Sequence, residues 1–122
     1  MRPFGYRCRR VAEIDCIPER EEDWMTAYIV VAARVDKRTE GFIEYSKRAG
    51  ELTSRCGGEY IVRGPAETVL EGEMWGQRPC VISRWPSLEA AKAFWNCEEY
   101  QEVLKPLRAD TGLYDVGLFE GT

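Results

Sequence analysis

Five charged residues fall in or beside segments that read as strands: Arg63, Glu71, Arg78, Arg84 and Asp115. A guanidinium aimed into a cavity can hold a carboxylate or enolate through two parallel hydrogen bonds. The plainer use of such residues is as edge charges or ion pairs between subunits. Arg63, at a kink before Gly64-Pro65, is the foremost candidate for orienting an anion, with Arg84 and the neighbouring Trp85 as further binding candidates. Glu71, beside Gly72, can move a proton if a cavity takes it out of water; otherwise it is a strand-end carboxylate accepting hydrogen bonds. Tyr45 and Tyr28 can each offer a phenol to a ligand while their rings complete an apolar wall, or serve only in packing. Tyr45 with Glu71 therefore forms the candidate catalytic pair, and Arg63, Tyr28, Arg84 and Trp85 the candidate binding set.

The 122-residue chain contains no histidine. Ser-His-Asp and Cys-His nucleophile schemes and histidine acid/base work are thereby excluded, along with most zinc or iron sites. Its five cysteines (Cys8, Cys16, Cys56, Cys80 and Cys97) form no Cys-x-x-Cys pair, and no carboxylates stand at a recognised metal-ligand spacing. Without histidine only a cation or a helix N-terminus can activate a thiol, so the cysteines read as small hydrophobes. Gly57-Gly58 ends a helix instead of opening one, which rules out a phosphate-cradling loop. The expectation is a site without metal or organic cofactor.

Composition narrows the class further. Seventeen basic against 21 acidic residues give a net charge of −4, which argues against a nucleic-acid backbone binder. A 44% apolar content supports one packed core, and no run reaches the ~18 apolar residues of a membrane helix. Odd cysteine usage without a signal-like segment points to a reduced, cytoplasmic setting. The charged stretch Pro18–Asp23 separates residues 1–23 from a domain spanning 24–122. In that extension Tyr6, Cys8, Ala12, Ile14 and Cys16 alternate with charged residues, as in an extra strand or an arm on a partner; a loose tail is the other reading.

The elements that must position these groups follow from periodicity. Thr26–Val35 is a β-branched and apolar run, a central strand. Asp36 or Thr39 can cap a helix whose stripe is Phe42, Tyr45, Ala49, Leu52 and Cys56, stopped by Gly57-Gly58. Glu59–Arg63 and Glu67–Glu71 read as one long strand bent at Gly64-Pro65, and Gly72–Pro79 as a turn. Cys80–Trp85 is a strand, and Pro86-Ser87 opens a helix with Leu88, Ala91, Phe94 and Trp95 inward. An amphipathic segment from Glu98 to Arg108, with Tyr100, Val103, Leu104 and Leu107 apolar, leads to a last strand, Leu113–Phe119. The order β-α-β-β-α-β is that of an α+β, ferredoxin-like domain with an antiparallel sheet and both helices on one face.

The pieces Val62-Arg63-Gly64, Val69-Leu-Glu-Gly72, Trp85-Pro-Ser-Leu-Glu-Ala-Ala91, Glu99-Tyr-Gln101 and Leu107-Arg108, in this order, resemble the domain-of-unknown-function 1330 family of the dimeric α+β barrel superfamily. Arg84 stands where that family usually carries a glutamate, and residues 1–23 lie before its usual span. The resemblance implies a subunit whose sheet pairs with a second copy to close a barrel. By analogy of fold it also implies a small-molecule enzyme of isomerase, cyclase or oxygenase type, acting on a small acidic or aromatic compound. A non-catalytic binding or interaction module is the alternative. A homodimer is expected on physical grounds as well, because a sheet covered by helices on one side leaves its other face to water.

Overall fold

The computed structural model describes residues 26–122; the extension 1–23 expected to pack as a strand or arm lies outside the described residues. Strand β1 (Ala27–Val35) is followed by α1 (Glu40–Arg55), β2 (Glu59–Gly64) and the short α2 (Met74–Gln77). Then come β3 (Cys80–Trp85), α3 (Leu88–Asn96), a π-helical segment (Glu99–Leu104), the one-turn α4 (Lys105–Leu107) and β4 (Gly112–Glu120). The sheet order is β2-β3-β1-β4, and all three pairings are antiparallel.

Each element has a local cause. Thr39, not Asp36, caps α1: its Oγ1 accepts from the Phe42 amide at 3.0 Å, while Asp36 takes two hydrogen bonds from Arg34. Ser87 caps α3 in the same way, accepting from the Ala90 amide at 3.0 Å. At the end of α1, Gly57 adopts a φ of 97° and the Gly58 amide returns to the Thr53 carbonyl at 2.9 Å.

The alternation of β1 sorts residues onto two faces. Ala27, Ile29 and Val31, opposite Trp85, Ser83 and Val81 of β3, look toward the helices. They meet Ala49 and Leu52 of α1, Ala91 and Phe94 of α3, and Tyr100 and Leu104 of the π-helical segment, which together make the core. Trp85 is its largest member, 1% exposed, with its ring 4.7 Å from that of Phe94 and its indole N–H donating to Ser83 Oγ at 2.8 Å. The opposite face carries Tyr28, Val30 and Ala32 of β1, Ile82 and Arg84 of β3 and Phe119 of β4.

Three expectations are corrected. Glu67–Glu71 is not a strand: β2 ends at Gly64, whose φ is 138°, Pro65 has no amide to donate, and residues 80–84 of β3 are already paired with 59–64. The register irregularity lies earlier, between Tyr60 and Val62. The stretch 72–79 contains α2 instead of a bare turn, and Val103, grouped with the apolar residues of the 98–108 segment, is exposed on the π-helical segment. No helix among the described residues is long and apolar enough to cross a membrane.

The indole of Trp85 rests on Gly58, where a Cβ would come within 2.7 Å of its ring carbons. Gly58→Ala is therefore expected to cost about 1–3 kcal/mol in urea denaturation through overpacking. Gly76→Ala, with open space at its Cβ, is expected to leave stability unchanged or slightly raised.

Candidate functional site

The polar centre of the described chain lies where α1, the π-helical segment and the start of β4 converge. Tyr45, on the inward stripe of α1, meets Tyr100 hydroxyl to hydroxyl at 2.9 Å. The Arg108 guanidinium carbon lies 5.4 Å from the Tyr45 ring centroid and 4.3 Å from that of Tyr114. Tyr114 in turn shares a 2.6 Å hydrogen bond with Thr111, whose hydroxyl also donates to the Arg108 carbonyl at 2.6 Å.

Local structure holds this arrangement. The wide π turn is tied down where the Gln101 side-chain amide donates to the Trp95 carbonyl at 2.7 Å, and Tyr100 is turned fully inward. The one-turn α4, with Pro106 in its first turn, ends at Leu107 and leaves Arg108 as its C-cap. Asp110, with a φ of 64°, makes the turn into β4, and the Thr111 carbonyl accepts from the Asp36 and Lys37 amides at 2.7 and 2.9 Å. At the other end, Gly41 of α1 lies so near the Leu107 carbonyl that a Cβ would approach it to 2.7 Å. This close approach brings Tyr45 within reach of Arg108.

Burial sets the electrostatics. It pushes the Tyr45 phenol far above its usual range, with Tyr100 adding to the rise and Arg108 opposing it. Tyr45 is thus a neutral hydrogen-bond donor at physiological pH and not a base. Burial also raises the Cys56 and Cys80 thiols, which suits the packing role expected of them. Among the described residues no group of three or more cysteines, aspartates or glutamates is arranged to hold a metal ion.

Two grooves open near these residues. One, of about 540 Å³, is bounded by Gln101, Lys105, Arg108, Asp110 and Tyr114. The other, of about 680 Å³, runs between α1 and β2 past Arg38, Ser46, Lys47, Glu51, Ser54 and Arg63.

The residues singled out from sequence are spread over several places. Tyr45 is in the buried cluster. Arg63 sits at the rim of the second groove, exposed, donating to Ser46 Oγ at 3.3 Å with its guanidinium over the Tyr60 ring. Tyr28 and Arg84 are cross-strand neighbours on the open sheet face, where Arg84 is ion-paired with Glu59, its partner in register on β2. Arg78 and Asp115 form an ion pair at 2.7 Å. Trp85 is wholly in the core and offers no surface to a ligand in this chain; Glu71 is exposed in the 65–72 loop and lines neither groove. Sequence reasoning missed Arg108, Thr111 and Tyr114 as site residues and took Tyr100 for packing alone. The available signal was the Leu107-Arg108 piece of the family pattern, which places an arginine directly after an inward leucine.

The sheet order and one-sided helices define an α+β protein of ferredoxin-like fold. The chain belongs to the family described as Domain of unknown function (DUF1330), whose model matches residues 26–122. Its fold is shared with the crystal structure of RPA0582, a protein of unknown function from Rhodopseudomonas palustris (TM-score 0.64, 18% identity, covering 92% of this chain and 98% of that one). It is shared also with SnoaB from Streptomyces nogalater, a cofactor-independent oxygenase solved as a point mutant (TM-score 0.54, 18% identity, 78% and 91% covered). No curated protein matches the chain in sequence.

Because the native Tyr45 keeps its proton where the unfolded chain loses it, stability is expected to fall as pH rises past the ordinary tyrosine value of 10.0. Urea denaturation between about pH 9 and about pH 11 should show a loss steeper in the wild type than in Tyr45→Phe, by up to about 1.4 kcal/mol per pH unit.

Proposed function

We propose that this chain is a small-molecule enzyme working without metal or organic cofactor on a small acidic or aromatic compound held between its sheet and helices. The observation that carries the proposal is Arg108, a residue 9% exposed whose guanidinium is set between two tyrosine rings at the wall of a groove of ligand size. A fixed cation beside a protonated phenol is suited to stabilise an oxyanion or enolate as it develops, because neither group has to reorganise. In this assignment Tyr45, which lines neither groove and shares its hydroxyl with Tyr100, is the hydrogen-bond donor once a ligand reaches past Arg108, and Arg63 remains the orienting cation of the neighbouring groove. Glu71 would need to be brought to either groove from its exposed loop before it could move a proton. SnoaB, which shares the fold, works without a cofactor, and that precedent supports the cofactor-free assignment.

A second reading, a module that binds the same compound without turning it over, draws on the lining itself: the 540 Å³ groove presents donors and cations, with Asp110 its sole carboxylate among the described residues. The test is to incubate the protein with a panel of aromatic and enolic acids in air, following thermal shift and product mass. Turnover is expected for at least one compound, with Tyr45→Phe at least about tenfold slower, given what single oxyanion donors contribute. Binding without product would place the protein with the modules; neither binding nor product would overturn both readings.

We also propose that the active form is a homodimer built on the open sheet face. Phe119 (56% exposed), Leu113 (50%) and Val62 (44%) are large apolar side chains on that face, and a second copy would bury them. Light scattering at micromolar concentration is expected to give twice the chain mass for the wild type and the chain mass for Phe119→Glu.

A further inference from the structure

Among the described residues Arg108 is a buried cation without an anion. The arginines at positions 34, 48, 55, 78 and 84 each pair with a carboxylate, and Arg63 donates to Ser46. Arg38 has no carboxylate partner among the described residues, but it is exposed to water. Arg108 is 9% exposed, and its Nε is fully buried with no acceptor. The groups around its guanidinium are the rings of Tyr45 and Tyr114 and the hydroxyls of Tyr45 and Tyr100, and none of them is a carboxylate. In a chain with 21 acidic residues, carboxylates are not scarce. A desolvated guanidinium with an unfilled donor is costly unless an anion completes it.

From these facts we infer that Arg108 binds the carboxylate of the small molecule assigned above, and that the ligand class is a flat aromatic or enolic carboxylate monoanion. The inference rests on the proposed small-molecule site and specifies its charge and shape. Tyr45 and Tyr114 lie against the guanidinium, so incoming oxygens meet it from the groove that Arg108 itself lines. There the planar fork of N–H groups matches the two oxygens of a carboxylate. Lys105, one turn earlier on the same wall with its ammonium 5.3 Å from the Trp95 ring centroid, adds a second positive charge, and Gln101 adds an amide. Pro106, Ala109 and Leu113 supply apolar wall for a ring. A groove of about 540 Å³ takes a one- or two-ring compound and is ample for a single ring. Asp110 sets one carboxylate on the same lining against the two cations, so the groove keeps a net positive charge, and its mixture of apolar wall and cations favours a ring carboxylate over a free inorganic anion.

The experiment is isothermal titration of the full chain with 2-naphthoate, methyl 2-naphthoate and inorganic phosphate, using the wild type, Arg108→Lys and Arg108→Gln. Arg48→Gln, in a surface pair with Glu44, serves as the control. The acid is expected to bind the wild type at least about tenfold more tightly than its ester, as the loss of a charge-assisted pair requires. Arg108→Lys should weaken the acid by about tenfold or more and leave the ester unchanged, whereas Arg48→Gln should change neither. The comparison of acid, ester and phosphate on the wild type decides the matter even if the Arg108 variants fail to fold. An ester that binds as well as the acid would overturn the carboxylate inference while leaving a small-molecule site standing. Phosphate that binds as tightly as the acid would overturn the ligand class. Failure of all three to bind would overturn the inference, and the compound panel described for the proposed function would then decide the site separately.

Discussion

The contact between the Trp85 indole and the backbone at Gly58 is the constraint on which the rest of the structure depends. It joins the end of β3 to the junction of α1 and β2, two parts of the chain well separated in sequence. The same ring stacks on Phe94 of α3, which touches Tyr100, whose ring lies 4.8 Å from that of Trp95. One aromatic chain therefore runs from the sheet through α3 and the π-helical segment to the polar cluster. Close-packed aromatic rings cannot shift independently, so the position of Tyr100, and through it that of Tyr45, is inherited from how Trp85 seats.

That inheritance explains why a buried polar cluster can persist in so small a core. Hydroxyls of Tyr45 and Tyr100 satisfy one another, and Thr111 and Tyr114 do the same, leaving Arg108 Nε as this cluster's buried donor without an acceptor among the described residues. Gly41 on one side and the π-helical segment on the other force α1 and the C-terminal helical turns together at this point. The protein thus holds a desolvated positive charge in place, a penalty that the proposed anion would offset.

The fold was legible in sequence because its determinants are local. The β-branched run at 27–35, the Phe42-Tyr45-Ala49-Leu52 stripe, the Thr39 and Ser87 caps and the Gly57-Gly58 stop each act within a few residues, and together they order the elements. Glu67–Glu71 misled for the complementary reason: its composition suits a strand, but a strand needs a partner, and whether β3 has an edge left to offer is a property of the sheet.

The candidate site was legible only in part. Sequence marked Tyr45, because an aromatic on the inward stripe of α1 must meet the core. It marked Arg63, Arg84 and Trp85 by their place in strands, yet strand alternation together with register decides which face each occupies, and the three end on a groove rim, an open sheet face and the core interior. Arg108 and Tyr114 gave no sign of their partnership with Tyr45. Residues so far apart in the chain become neighbours only when the C-terminal helical turns fold back onto α1. By itself the sequence determined a histidine-free, β-α-β-β-α-β chain with one apolar core, since composition and periodicity act locally. Tertiary packing alone decided that Arg108 would stand buried without a carboxylate among the described residues, since burial and pairing belong to the assembled chain.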